Sequence, residues 1–472
     1  MLLKKPGSQV IQALDRYLTQ SQNKEKPVIH QKSIQALHEA LDLSTLFRNG
    51  GLSGDNLDQF LETYLDNTTR LHHPGYLAHQ VGNPHPLAAL GAFIDGATNN
   101  AMAIYEMGPA AAAIEFFMVN KLLDRVGWPR MPFDTKQRLL FDHGAGVLTH
   151  GGSLANLTAL MAARNHLDSA VRENGCAGNL AILASDSCHY SVSKTAGILG
   201  IGEKNVVAIP TDRMGRIEPK EVTPCIENAR QSGRRIVALI ANACSTGTGL
   251  FDPIDAIADI CKENRIWFHV DGAHGGSLLF SKKYRHLLDG LEKADSLILD
   301  AHKMLRTPTV CAALLVKHAP ALDHAFQHDA GYLFHDKYQP GFDFISQTVE
   351  CTKAGLGLKF FLAFAALGEN GMAEYIDICV DLACSAQKHI ASQPDFDAPY
   401  TPESNILCFR HTGADTDQLA IRDRLIQKGN FYLSSTSIET QRFLRMVIIS
   451  PATTLDDIKA LVHAIRQTAE TG

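Results

Sequence analysis

Two apolar runs, each ending in a carboxylate, constrain this chain more than any other feature. The first, Ile266-Trp267-Phe268-His269-Val270-Asp271, leads into Gly272-Ala273-His274-Gly275-Gly276, and the second, Ser296-Leu297-Ile298-Leu299-Asp300, leads into Ala301-His302-Lys303. Continuous apolar runs of this length suit strands buried on both faces, as in parallel sheets, where ligands gather beyond the carboxyl ends. Asp271 and Lys303 stand 32 positions apart (303 − 271), which leaves room for a helix-like connector and the second strand. A lysine beside a histidine, set opposite a carboxylate, suits a Schiff base to an aldehyde whose ring nitrogen the acid keeps protonated.

Upstream, Gly146-Val147-Leu148-Thr149 is strand-like, His150-Gly151-Gly152-Ser153 a turn, and Leu154 to Asn165 an Ala- and Leu-rich helix. Strand, glycine turn and helix in that order bring backbone N–H groups and the helix dipole to one place, where an anion binds. Ser153 is equally suited to capping the helix. Further apolar runs predict strands ending near 184, 209, 241, 270, 300 and 316, with helices between most of them. That succession describes an α/β fold with a largely parallel sheet.

The 472 residues exceed one ordinary domain. A net charge of −6, with no Lys/Arg block, argues against a nucleic-acid partner. The ten cysteines form no Cys-x-x-Cys pair, so neither a disulfide frame nor a zinc site is expected and a reduced, cytoplasmic setting is. The N-terminus carries no apolar run followed by a cleavage site. The apolar stretch 355–368 is too short to span a membrane and contains Lys359, so a buried helix is expected there.

The residues HVDGAHGG (269–276) and DAHKML (300–305) resemble the cofactor signature of the pyridoxal-phosphate-dependent amino-acid decarboxylases of the glutamate, aromatic-amino-acid and diaminobutyrate group. The resemblance extends, with gaps, from about His73 to the C-terminus. It implies a fold type I transferase-like architecture, with a mostly parallel sheet flanked by helices, a helical N-terminal segment and a small α+β C-terminal domain. It implies pyridoxal 5'-phosphate as cofactor, with Lys303 as the Schiff-base lysine and Asp271 as partner of the pyridine nitrogen. Gly152 and Ser153, in GGSLAN, inherit the phosphate role. His189 is expected to stack on the ring near the substrate carboxylate, Thr246 to keep a hydroxyl against the cofactor, Ala273 to allow close approach to the ring, and His302 to support the lysine. Tyr332, in a Tyr-Leu-Phe-His segment resembling a mobile catalytic loop, is expected to return a proton to Cα. Tyr76 and Arg445 are candidate substrate contacts.

By the same resemblance residues 1–100 form a helical segment that packs on a second subunit, 101–370 the large cofactor-binding domain, and 371–472 the small domain. A homodimer is expected, with a small amino acid as the other partner. The chain departs from the family pattern at Leu77, Gly108, Cys244-Ser245 and Lys353-Ala354. Lys353 stands where an arginine is usual, and lysine cannot reproduce a bidentate clamp on a carboxylate. The favoured reading is decarboxylation of an L-α-amino acid, leaning toward the acidic or diaminobutyrate branch. The alternatives are oxidative deamination (an aldehyde synthase) or transamination on the same cofactor, and a cofactor-binding protein that has lost catalysis.

Overall fold

The computed structural model describes residues 3–134, 141–176, 178–326, 341–413 and 417–470. The chain folds into two compact units, one of Met1–His79 with Asp381–Gly472 and the other of Gln80–Val380. The N-terminal helices thus share a unit with the C-terminal strands, with divisions at 79/80 and 380/381 where the sequence reading set 100/101 and 370/371.

In the first unit a five-stranded sheet has the order β1-β11-β12-β10-β9. Its strands are β1 (Tyr76–Leu77), β9 (Phe396–Asp397), β10 (Ile406–His411), β11 (Tyr432–Ile438) and β12 (Gln441–Val447). β1 runs parallel to β11 and the remaining pairs are antiparallel. Leu407, Phe409, Leu444 and Met446 from the sheet pack with Ile458, Leu461 and Ile465 from the closing helix Leu455–Glu470. β11 is absent from the sequence reading because Tyr-Leu-Ser-Ser-Thr-Ser-Ile is half exposed and has no apolar run.

The second unit is built on seven strands: β2 (Ala145–Thr149), β3 (Leu180–Ser185), β4 (Val206–Ile209), β5 (Arg235–Asn242), β6 (Phe268–Asp271), β7 (Ser296–Asp300) and β8 (Ala312–Val316). Their order is β2-β8-β7-β6-β5-β3-β4. β3 to β7 are parallel, and β8 runs against both its neighbours. This is the mostly parallel α/β sheet expected. Leu297, Ile298, Leu314, Leu315 and Val316 are fully buried, each stabilising the fold by about 1.5–3 kcal/mol relative to exposure. The helix Gly152–Leu167 buries Ala155, Ala159, Ala162 and Ala163, small side chains that let it lie close to the sheet.

The return from β7 to β8 carries Lys303 and is tied at several points. His302 N–H donates to Cys311 O at 3.2 Å, Gly82 N–H to His302 O at 3.1 Å, and His85 N–H to Arg306 O at 2.8 Å. A Cβ at Gly82 would lie 2.0 Å from Lys303 O, so only glycine allows this approach. The apolar stretch from 355 opens the helix Leu356–Ala391, which breaks helical geometry at Gly368 (φ 67°). Lys359 is accommodated by donating to Val310 O at 3.0 Å. Among the described residues no helix is long and apolar enough to cross a membrane.

Candidate active site

At the carboxyl ends of β5, β6 and β7 the second unit opens into a cavity of about 310 Å³, where the strand-end rule places a ligand. Lys303 and His302 line it from the β7–β8 return. Lys303 Nζ lies 3.3 Å from Asp300 Oδ2 and His302 Nε2 lies 3.9 Å from the same oxygen. The His302 ring is fixed by Nδ1, 2.9 Å from Cys311 O. Asp300 is 4% exposed, and its Oδ1 has no hydrogen-bond partner among the described residues. A buried acceptor of this kind is costly until something in the cavity donates to it.

Asp271 enters from the end of β6 and is 6% exposed. Its Oδ2 accepts from Asn156 Nδ2 at 3.0 Å and its Oδ1 from Ala273 N–H at 3.1 Å. Asn156, one turn into the helix Gly152–Leu167, also donates from Nδ2 to Ser191 Oγ at 2.9 Å. Ser191 in turn lies 2.7 Å from His189 Nδ1. Burial pushes the His189 imidazole below its ordinary value and Lys303 adds to this, while Asp271 and Asp300 oppose it. The ring facing the cavity is thereby held toward its neutral form.

The turn before the helix gives the cavity an anion cradle. Gly151 has φ +102°, a conformation that favours glycine. A Cβ at Gly152 would lie 2.8 Å from both Asp300 carboxylate oxygens. Gly152 and Ser153 both line the cavity, as do Thr246 and Ala273. Eight residues picked out in the sequence (152, 153, 189, 246, 271, 273, 302 and 303) thus meet in one cavity.

Three others remain to be placed. Tyr76 and Arg445 belong to the first unit. Tyr76 is buried against Tyr432, with ring centroids 6.1 Å apart. Arg445 Nη1 donates to Ala78 O and Ser434 Oγ, both at 3.1 Å. Tyr332, with the rest of 327–340, lies outside the described residues.

Lys353 answers the concern raised by its replacement of arginine. Its Nζ is buried, 2.6 and 2.7 Å from the two oxygens of Glu115, and donates to Leu148 O at 2.7 Å. Glu115 Oε1 also accepts from Leu148 N–H at 2.9 Å. The ammonium is committed to joining the helix Pro109–Val126 to β2, so the departure at 353 concerns packing.

Sequence reasoning passed over Asn156, Ser191, His269 and Asp300 as contributors. Two signals were available. Asn156 follows Gly152 by one helical turn, and His269 precedes Asp271 by two strand positions, hence on the same face.

Residues 56–412 match the family model described as the pyridoxal-dependent decarboxylase conserved domain. The chain belongs to the pyridoxal-dependent decarboxylase family. It is 29% identical over 452 residues to the acidic amino acid decarboxylase GADL1 of Bos taurus, covering 91% of this chain and 84% of that one. It is also 29% identical over 470 residues to the cysteine sulfinic acid decarboxylase of Mus musculus, covering 95% and 92%. The crystal structure of mouse CSAD superposes with a TM-score of 0.89 at 27% identity, covering 98% of both chains.

This decarboxylase uses pyridoxal phosphate, and its cavity fits that group. An amine (Lys303), a carboxylate held by two donors (Asp271) and a glycine turn at the start of a 16-residue helix match an aldehyde, a protonated pyridine and a phosphate.

Proposed function

We propose that this pyridoxal-phosphate-dependent decarboxylase acts on L-α-amino acids with a second acidic group, of the carboxylate or sulfinate class, giving the amine and CO2. The reading rests on the meeting of Lys303, Asp271 and His189 in one cavity, and the substrate class on the names of two relatives that this chain matches over more than nine-tenths of its length.

When bound, the cofactor supplies an electron sink for the bond between Cα and its carboxylate. Lys303 presents the amine that would hold the cofactor aldehyde. Asp271, oriented by Asn156 and the Ala273 amide, holds positive charge at the ring nitrogen. Gly152, Ser153 and the helix N-terminus hold the phosphate. His189, which lines the same cavity, would face the ring and orient the substrate carboxylate, and His302 would keep the lysine in place. Tyr332 Oη delivers a proton to Cα, which commits the reaction to amine.

The same reading includes a homodimer acting in the cytoplasm. Ile34 and Phe47, on the short helices Ile34–Ala40 and Leu43–Asn49, are 87% and 96% exposed, an apolar surface that a second copy of the chain would cover.

The test is a panel of aspartate, glutamate, cysteine sulfinate, 2,4-diaminobutyrate and aromatic amino acids, scored for CO2, amine and peroxide. Equal CO2 and amine from an acidic member, without peroxide, is expected. Turnover of aromatic members alone, or peroxide in step with CO2, would overturn it. Sedimentation at assay concentration tests the dimer.

A further inference from the structure

A line of buried polar side chains runs through the core of the second unit from the start of β6 to the cavity. Trp267 Nε1 lies 2.8 Å from Ser296 Oγ, Ser296 Oγ 2.8 Å from His269 Nδ1, and His269 Nε2 2.9 Å from Asn156 Oδ1. Asn156 Nδ2 then reaches Asp271 and Ser191. His269 and Ser296 are fully buried and Asn156 and Ser191 are 1% exposed. His269 and Ser296 are register partners on adjacent strands.

The direction of every hydrogen bond in this line follows from its ends. Indole N–H only donates, so Ser296 Oγ accepts from Trp267. A carboxylate oxygen accepts, so Asn156 turns its amide nitrogen to Asp271 and its oxygen to His269. His269 therefore carries hydrogen on Nε2. Burial holds this imidazole down to about 4, so its Nδ1 is bare and accepts the Ser296 hydroxyl proton. On the branch, Ser191 N–H also points at His189 Nδ1, at 3.3 Å. That nitrogen is thus an acceptor, the Ser191 hydroxyl donates to it, and the His189 hydrogen sits on Nε2.

We infer that Asn156 and His269 are positioning residues for the decarboxylation: through one directed hydrogen-bond chain they fix the carboxylate of Asp271 and set the tautomer of His189. His269 does not line the cavity, so its influence passes through Asn156. An apolar residue at 269 would suit a strand buried on both faces. The polar line is consistent only when every member is satisfied, and its one charged terminus is the acid assigned to the cofactor ring. The inference rests on the roles proposed above for Asp271 and His189.

The test uses holoenzyme variants His269→Phe, His269→Gln and Asn156→Asp, with Asp271→Asn as control. Three quantities are read: cofactor affinity, the pH dependence of the cofactor absorption band, and the ¹⁵N signals of His189 after histidine labelling. His269→Phe and Asn156→Asp are expected to weaken cofactor binding on the order of tenfold, to lower kcat more than they change KM, and to displace the absorption titration. Asn156→Asp should also mix the His189 tautomers. His269→Gln, which keeps a donor toward Asn156, should recover most of the loss. Should His269→Phe fail to fold, Ser296→Ala frees the His269 tautomer with a smaller change and should displace the same titration. Wild-type affinity and titration in His269→Phe or Ser296→Ala, with Asp271→Asn impaired, overturns the chain alone. An unimpaired Asp271→Asn overturns the assignment of the acid itself.

Discussion

Lys353 and Glu115 meet as a buried pair in which one ammonium faces both carboxylate oxygens, at 2.6 and 2.7 Å. Burial pushes the Glu115 carboxyl up, and Lys353 and the Leu148 amide pull it back. The pair joins the helix Pro109–Val126 to β2, the strand that leads directly into the glycine turn of the cavity.

Removing one partner leaves the other charge buried and uncompensated. Lys353→Met is expected to cost about 3–5 kcal/mol of stability. Adding Glu115→Gln should recover a large part of it, because the double variant buries no charge. Denaturant unfolding of the single and double variants measures this, and a single variant within 1 kcal/mol of wild type would deny the pair its structural role.

Asp271→Asn keeps the shape of the side chain and removes its charge. A loss in kcat on the order of 10²–10³ is expected, the scale for one preorganised electrostatic group, with weaker retention of cofactor on gel filtration. Steady-state kinetics at saturating pyridoxal phosphate separates the two effects.

Gly152→Ala brings a methyl group to 2.8 Å from both Asp300 oxygens. Either the carboxylate or the turn must move, at a cost of about 1–3 kcal/mol, and cofactor affinity is expected to fall by about tenfold. Equilibrium titration with pyridoxal phosphate measures the loss, and wild-type affinity in Gly152→Ala would deny the turn its role.

Acid should destabilise the second unit through His269. Its folded value is about 4 against an ordinary 6.5, so between those pH values the unfolded chain binds the extra proton. The stabilisation is whole above pH 6.5 and is lost as pH falls toward 4, amounting to about 3 kcal/mol. Urea unfolding at pH 7, 5.5 and 4.5 measures the slope. His269→Gln should flatten it by that amount.

Tyr332→Phe removes the hydroxyl proposed to protonate Cα. Amine formation is expected to fall on the order of 10²-fold, the lower end of the range for a lost general acid, with aldehyde and peroxide taking its place. Product analysis by mass spectrometry and oxygen uptake decides; unchanged amine yield would move the proton donor elsewhere.

Much of the sheet and three landmarks of the cavity were legible in the sequence for one reason, while His189, Thr246, Ala273 and His302 were expected only from the family resemblance. A strand buried on both faces shows as an unbroken apolar run, and the polar residue that ends the run marks the ligand edge. Asp271, Lys303 and the Gly151-Gly152 turn are all punctuation of that kind. Asn156 and His269 left only a weak trace, their spacing from Gly152 and Asp271, because polar groups inside helix and strand declare their purpose mainly through partners distant in sequence. Asn156 meets Asp271 across 115 positions and His269 meets Asn156 across 113. Lys353 misled for the same reason: its partner Glu115 is 238 residues away. β11 was missed because four consecutive Ser and Thr residues, 434–437, leave it without an apolar run on a half-exposed surface.

The anchoring of the β7–β8 return divides the sheet into an end that can change and an end that cannot. Lengthening the chain between Asp300 and Cys311 would slide the amine away from its acid and break ties to His302 and Arg306. The opposite end of the sheet, before β5, carries the exposed turn at Gly233 (φ +76°), where nothing lies within 4 Å of an added Cβ. A tag, a fusion partner or new chain ends placed there would leave the chemistry undisturbed, and that turn is the natural point of entry for redesigning this enzyme.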